Sequence, residues 1–328
     1  MEFFLQLLVD GLTVGGLYAL IALGFTMVYG ILLMINFAHA EMFMTGGFLG
    51  YGFLNLFSNP TTIGIVSDAI PPLSFLQATQ PFFTTTAIGF IIMMLLVFGF
   101  AAVLTGLLGM TIERFAYRPL RNSPRLCALI SALGMSLFLQ NFVLTFVTHR
   151  LVFPTPQFLA NLDAVNVFGY IHIAPIDLII FVTAISLLFI LDRFVSSTKL
   201  GKAMRATSQD KDAAGLMGIN INSVIALTFF IGPALGAVAG TFFGLKYGIV
   251  TFNMGLFPGI KAFTAAVLGG IGNLRGAMLG GFLIGLLEAF ASGFISISYR
   301  DVITFAVLIL ILIFRPGGLL GESVVEKV

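Results

Sequence analysis

Residues 16–41 read G-L-Y-A-L-I-A-L-G-F-T-M-V-Y-G-I-L-L-M-I-N-F-A-H-A-E. From Gly16 to Ile35 there is no charged residue and no proline. A run of ~20 mostly apolar residues is what the hydrocarbon core of a bilayer requires of a helix. Asn36, His39 and Glu41 then arrive together, and apolar sequence resumes at Met42. At membrane depth such an interruption predicts a broken helix beside a translocation path, because irregular backbone is tolerated there only when buried in protein or lining a cavity. The alternative is a short loop at the membrane surface, where His39 and Glu41 are simply wet.

The rest of the chain has the same character. It has 328 residues, of which 59% are hydrophobic and only 9% charged, and its mean hydropathy is +1.08. A soluble globular domain carries roughly a quarter charged residues. This chain cannot cover its surface in water, which excludes an ordinary cytosolic enzyme, a disordered tail and a secreted disulfide scaffold. Cys127 is the single cysteine, so neither an intrachain disulfide nor a thiolate metal cluster can form. A formal charge of +2 points to no strongly charged partner, nucleic acid included. Residues 1–11 carry Glu2 and Asp10 but no Lys or Arg, so they lack the positive end of a removable signal peptide.

Candidate spans are 12–34, 36–57, 83–110, 126–147, 176–192, 223–245, 259–275, 276–297 and 301–314. None alternates with period two, which argues against a β-barrel. The last is short, and 259–275 carries Lys261 and a glycine-rich end. The expected fold is an all-α polytopic membrane protein, one permease-like domain over 1–328. It is a bundle of about eight transmembrane helices, seven to nine, some of them broken or re-entrant.

Lys and Arg set the orientation. Arg114, Arg118, Arg121 and Arg125 crowd 113–125, and Arg193, Lys199, Lys202, Arg205 and Lys211 crowd 193–211. Both loops are expected in the cytoplasm, and two spans separate them, as that requires. The 58–82 loop has no Lys or Arg and 148–175 has only Arg150, so both are expected outside. Tyr51, Tyr117, Tyr170, Tyr247 and Tyr299 fall near segment ends, where an amphipathic ring is comfortable.

Gly232, Gly236, Gly240 and Gly244 recur at every fourth position. They make a helix ridge without side chains, along which a second helix can approach closely. Gly276 with Gly280, and Gly281 with Gly285, repeat the device. Charge inside a membrane is costly and needs a reason. Lys261 precedes G-G-I-G-N-L-R-G at 269–276, where Gly269, Gly270, Gly272 and Asn273 read as a tight turn or re-entrant break. Glu288 stands alone in an apolar run and is expected to face the bundle interior, paired with Lys261 or Arg275. Gln140 and Asn141 can hydrogen-bond between helices. The candidate pathway residues are therefore Asn36, His39, Glu41, Asn141, Lys261, Asn273 and Glu288.

Catalytic motifs are missing from the sequence. His39, His149 and His172 stand far apart, with no H-E-x-x-H, no G-x-S-x-G and no G-x-x-x-x-G-K-[ST]. No enzyme activity and no bound cofactor or metal is expected of this chain. If it does uphill work, an ion gradient or another subunit supplies the energy.

Residues 199–222 read K-L-G-K-A-M-R-A-T-S-Q-D-K-D-A-A-G-L-M-G-I-N-I-N. Within them D-A-A-x-x-x-G, formed by Asp212, Ala213, Ala214 and Gly218, resembles the E-A-A-x-x-x-G element of ATP-binding-cassette importer permeases. Asp210 and Asp212 favour a helix N-terminus, Gly218 ends the helix, and the small alanines let it seat in a partner's groove. The stretch at 16–41, E-R-F-A-Y-R-P-L-R at 113–121, L-I-S-A-L-G-M-S-L-F-L-Q-N at 129–141, K-A-F-T-A-A-V-L-G-G-I-G at 261–272 and the E-K-V tail resemble the branched-chain amino acid permeases of LivH type. The resemblance covers nearly the whole chain except 58–82 and 148–175.

That resemblance implies a permease subunit of the bacterial inner membrane. It implies pairing with a second homologous permease, two cytoplasmic ATP-binding subunits beneath that use ATP and Mg, and an external binding protein that delivers Leu, Ile or Val. The coupling contact falls on the 193–222 loop, at Arg205, Asp210, Asp212, Ala213, Ala214 and Gly218. A urea or short-amide importer is the near alternative, and an autonomous channel or ion-coupled carrier the remoter one.

Overall fold

The computed structural model describes residues 2–32, 34, 36–63, 75–121, 123–167, 171–315 and 317–321. The E-K-V tail, Tyr170 and the middle of the 58–82 loop lie outside these residues. Helix dominates, and polar residues between the apolar runs start the helices. α1 is Glu2–Leu32, beginning well before the expected residue 12, and α2 is His39–Ser58. α3 is Phe75–Thr85. α4, Ala87–Ile112, is capped by Thr86 Oγ1 and continues through a π turn, Glu113–Tyr117. α5 is Arg125–Phe146, α6 the single turn Gln157–Ala160 and α7 Pro175–Ser197. α8 is Lys199–Gln209, capped by Thr198, and α9 is Lys211–Leu216, capped by Asp210. α10, Ile221–Tyr247, opens on Asn220 and closes on left-handed Gly248. α11 is Leu256–Gly269, α12 is Leu274–Phe294, capped by Asn273, and α13 is Arg300–Phe314.

Seven of these helices, α1, α4, α5, α7, α10, α12 and α13 with its preceding turn, are long and apolar enough to cross a membrane. α2 adds a further 20-residue helix. α11 has 14 residues, about 21 Å of rise against a core of ~30 Å, and does not cross as a helix by itself. Gly270 and Gly272, with φ of 103° and 98°, make the turn that ends it. Of the tight turn and the re-entrant break that the sequence left open at 269–273, the structure shows a tight glycine turn after a short helix.

Two small antiparallel ladders stand outside the helical expectation. β1 (Arg150–Val152) pairs with β4 (Ile249–Thr251), which places the 148–152 stretch beside the end of α10. β2 (Val165–Val167) pairs with β3 (Ile171–Ile173). On the opposite side, Arg121 donates to Asn222 Oδ1 at 2.6 Å. That bond joins the Arg-rich 113–125 segment to the first turn of α10, just after the 193–211 segment.

α1 and α10 form the centre, with 72% and 67% of their apolar windows buried, whereas α5 and α7 reach 22% and α13 only 6%. α12 runs antiparallel along α1: Gly281 sits on Ala19, Gly285 on Gly11 and Gly15, and Gly293 on Leu7. The α10 glycine ridge does the same for two neighbours. Gly232 faces Gly24 of α1, Gly236 and Gly240 face Phe43 of α2, and Gly244 meets the Phe153 ring. Gly276 and Gly280 lie on Gly269 and Ala265 of α11. Lipid gives helices no hydrophobic drive to associate, so van der Waals contact at such seams must hold them.

These seams have a testable cost. A Cβ at Gly281 would fall on Ala19 backbone atoms, whereas one at Gly52 meets nothing within 4 Å. Gly281→Val is expected to lower the thermal unfolding midpoint in detergent, by about 1–3 kcal/mol of overpacking. Gly52→Ala is expected to leave the midpoint unchanged or raise it slightly.

Candidate translocation site

α2 starts in the middle of the bundle. Its first residue, His39, lies against Gly24 of α1 and Gly232 of α10. Gly232 is about 16 Å up α10 from Ile221, and Ser136, which meets Glu41, is about as far up α5 from Arg125. Both positions are half the thickness of a ~30 Å core. By His39, the start of α2, the chain therefore stands at mid-depth. The surface-loop alternative for 36–41 fails: Asn36 is 5% exposed, and His39 and Glu41 are 0% exposed.

Asn36, His39 and Glu41 each make a different contact. Asn36 Oδ1 accepts from the Tyr117 hydroxyl at 2.8 Å, tying the break to the π turn after α4. His39 Nε2 lies 3.3 Å from the Ile21 carbonyl oxygen, and the ring meets Phe25 edge-on at 4.7 Å. Glu41 Oε1 accepts from Ser136 Oγ at 3.0 Å and Gln140 Nε2 at 2.7 Å. The start of α11 comes to the same level, with Gly255 against the Ala40 carbonyl and Gly259 against the Ala40 side chain. Two helix N-termini thus meet at mid-depth. Toward the Arg-rich side a narrow cleft opens below them, lined by Phe25, Tyr29, Asn36, Phe263, Ala266 and Ile271 among others.

The second buried polar cluster holds α11 from its other flank. Lys261 Nζ lies 3.0 Å from Glu288 Oε1 and 2.7 Å from Asp301 Oδ1, and Arg300 Nε lies 2.9 Å from Glu288 Oε1. The Tyr18 hydroxyl donates to Glu288 Oε2 at 2.7 Å, and Lys261 Nζ sits 5.9 Å from the centre of the Tyr18 ring. Two cations and two anions join α1, α11, α12 and α13. Of the two partners expected for Glu288, the cluster supplies Lys261. Arg275 instead makes a two-pronged pair with Asp192 at 2.9 and 3.2 Å.

Not every predicted pathway residue joins these clusters. Asn141 is exposed on α5 and donates to its own helix at Leu137 O, 2.8 Å away; its neighbour Gln140 makes the interhelix bond. Asn273 caps α12 through Gly276 N at 3.1 Å and reaches the Leu320 carbonyl at 2.9 Å, a structural tether. Sequence reading left out Tyr18, Arg300 and Asp301, and took Tyr117 only as a ring near a segment end. The adjacent Arg300–Asp301 pair at the head of the last apolar run was a readable signal. The tyrosines look like ordinary apolar filler until their hydroxyl partners are seen.

On the Arg-rich side, α9 is a rigid knob. Asp210 Oδ1 accepts from Asp212 N and Ala213 N, both at 2.9 Å. Gly218, with φ of 83°, ends it and lets Ile219 N donate back to Ala214 O at 3.1 Å. Arg205 Nη2 donates to Ser196 O at 3.1 Å, fastening α8 to the end of α7. Ala213 points outward while Ala214 is buried, so Ala214 seats the knob on its own chain. Leu216 and Met217 are 90% and 83% exposed. Nearby, the Lys211 ammonium is held below its usual pKa, chiefly by partial burial and also by the Arg121 guanidinium, which itself pairs with Glu113.

Comparison with known proteins shows the family. Residues 7–312 match the family model described as branched-chain amino acid transport system, permease component. The chain is 45% identical over 329 residues to the high-affinity branched-chain amino acid transport system permease protein BraD of Pseudomonas aeruginosa, covering 99% of this chain and 98% of that protein. It is 42% identical to LivH of Salmonella typhimurium and 41% identical to LivH of Escherichia coli K12, with the same coverage. No solved structure matches significantly.

The buried ion cluster makes its own prediction. Lys261→Met leaves Glu288 and Asp301 with Arg300 alone, and removing one partner of a buried pair costs about 3–5 kcal/mol. Lys261→Met combined with Glu288→Leu restores the charge balance and is expected to cost less than the single change. Thermal unfolding of the purified variants in detergent checks both.

Proposed function

The chain belongs to the branched-chain amino acid transport permeases, and from that premise we propose that it forms one half of the translocation path of an ATP-driven importer for Leu, Ile and Val. It is a multi-pass protein of the bacterial inner membrane, and its role is that of a transport subunit. The observation that carries the translocation role is the mid-depth meeting of α2 and α11, where backbone is broken in a bundle otherwise closed by helices. Such breaks belong to binding sites in transporters, where freed helix ends face the cargo.

Energy enters from outside the chain. In this reading α9 is the contact with a cytoplasmic ATP-binding subunit, which uses ATP and Mg. Its capped ends make it stiff, and its exposed Leu216 and Met217 are an apolar tip that water does not favour. A second homologous permease completes the path, with two ATP-binding subunits below and an external binding protein above. α9 leads through residues 217–220 directly into α10, and the Arg121–Asn222 bond ties the start of α10 to the loop after α4.

Two tests follow. Leu216→Asp places a charge in the proposed contact and is expected to cut leucine uptake by the reconstituted importer at least about tenfold, a loss of ~1.4 kcal/mol or more of contact energy. Co-purification of the ATP-binding subunits should fall with it, while the permease itself stays folded. In cells lacking only this gene, uptake of labelled leucine at low concentration should be lost, restored by the gene, and competed by valine and isoleucine. Competition by urea instead would move the cargo to the short amides.

A further inference from the structure

Among the described residues four carboxylates are buried: Glu41, Glu113, Asp177 and Glu288. Three hold a cation. Glu113 has Arg121, Asp177 has Lys246, and Glu288 has Lys261 and Arg300. No cation among the described residues lies within ion-pair distance of Glu41. Its Oε1 is engaged by Ser136 and Gln140, but its Oε2 is buried without any hydrogen-bond partner. A buried charge left unpaired is unfavourable, and an incoming cation would supply the partner that the described residues do not.

The geometry shows where that cation would come. A Cβ placed on Gly255 would lie 2.8 Å from Glu41 Oε2, so glycine is what keeps that approach free of a side chain. Glu41 is in the first turn of α2, and Gly255 immediately precedes α11. Both helix N-termini favour a negative charge at this spot, which keeps the carboxylate a receptor for positive charge. The site lies at mid-depth and above the cleft described earlier.

We propose that Glu41 Oε2 receives the α-ammonium group of the amino acid cargo as it passes mid-depth. The inference rests on reading the chain as an amino acid permease and adds what the path recognises. An α-amino acid brings an ammonium with three donors and a positive charge, whereas urea and neutral amides bring N–H donors without the charge. The free oxygen therefore selects the amino acid class inside the membrane, in addition to any choice made by the binding protein. The aliphatic side chain of the cargo needs no polar partner, which suits the glycine and alanine surfaces around Ala40. In the closed arrangement seen here the start of α11 covers the oxygen, so receiving cargo requires that turn to move away from α2.

The test uses the complete importer, both permeases, both ATP-binding subunits and the binding protein, in proteoliposomes with labelled leucine. Glu41→Gln keeps the shape and can still accept from Ser136 and Gln140, but removes the charge. It is expected to lower leucine uptake per ATP hydrolysed at least about tenfold, the scale of one charge-assisted hydrogen bond. Glu41→Asp should recover part of that loss. Ser136→Ala releases one of the two donors but leaves the carboxylate its charge and its Gln140 bond, and should keep about a third of the rate or more. Gly255→Ala, which covers the oxygen, should lower uptake as Glu41→Gln does.

Uptake by Glu41→Gln within about twofold of the unchanged protein overturns the proposal, since a charge-assisted bond is worth more than that. So does an equal loss in Ser136→Ala, which would make Glu41 a helix clasp only. If Glu41→Gln does not assemble, Gly255→Ala decides, and unchanged uptake by it is equally contrary. Failure of the underlying reading appears separately, as urea rather than leucine uptake by the unmodified importer.

Discussion

Lipid offers no hydrogen bonds, so the backbone groups this chain buries have to be satisfied from within the chain. The helices answer that for the backbone, and the side chains between them answer it for the ends. Thr86, Thr198, Asp210, Asn220 and Asn273 each accept from a free N–H at a helix start. Buried threonines on the central helices do the reverse: Thr13, Thr228 and Thr264 donate to the carbonyl four residues back. With the backbone closed in this way, little remains to hold helix to helix except contact. The glycine seams of α1, α10 and α12 supply it by removing the side chains that would keep the backbones apart.

Charge is treated in two ways inside this frame. Lys261, Glu288, Arg300 and Asp301 neutralise one another around the Tyr18 hydroxyl, and together they fasten the short α11 to α12 and α13. Glu41 is held by neutral donors only. A balanced cluster is a fixed support, and a lone carboxylate is a place for something to come and go. α11 lies between the two, with its start beside Glu41 and its second turn in the ion cluster. It is short enough to tilt without tearing a full membrane-spanning helix from its neighbours.

Much of this was legible in the sequence. Apolar run length gave the spans, since lipid leaves few alternatives to helix. The four-residue glycine spacing located the α10 seam, and the glycine-rich stretch after Leu268 located the turn after α11. Asn36, His39 and Glu41 stood out because polar residues between apolar runs are costly. What the sequence withheld is partnership. Nothing local says that Tyr117 reaches Asn36, that Tyr18 reaches Glu288, or that Asn141 faces away while Gln140 faces in. Those facts depend on helix rotation and on contacts across 80 or more residues of chain. Ala214 is a similar case, since only the packed loop shows that it turns inward.

The central claim is that the mid-depth start of α2 belongs to a path that opens alternately to the two sides. Chemical accessibility of Asn36 tests it most directly. Asn36→Cys fits the space, and the exposed native Cys127 can be replaced by serine to leave one thiol. In the assembled importer, a membrane-impermeant maleimide should label Cys at this position from one side without nucleotide. That labelling should be lost when ATP is held unhydrolysed. Labelling that is absent in both states, or equal in both, would contradict the account and return the break at 36–41 to a purely structural role.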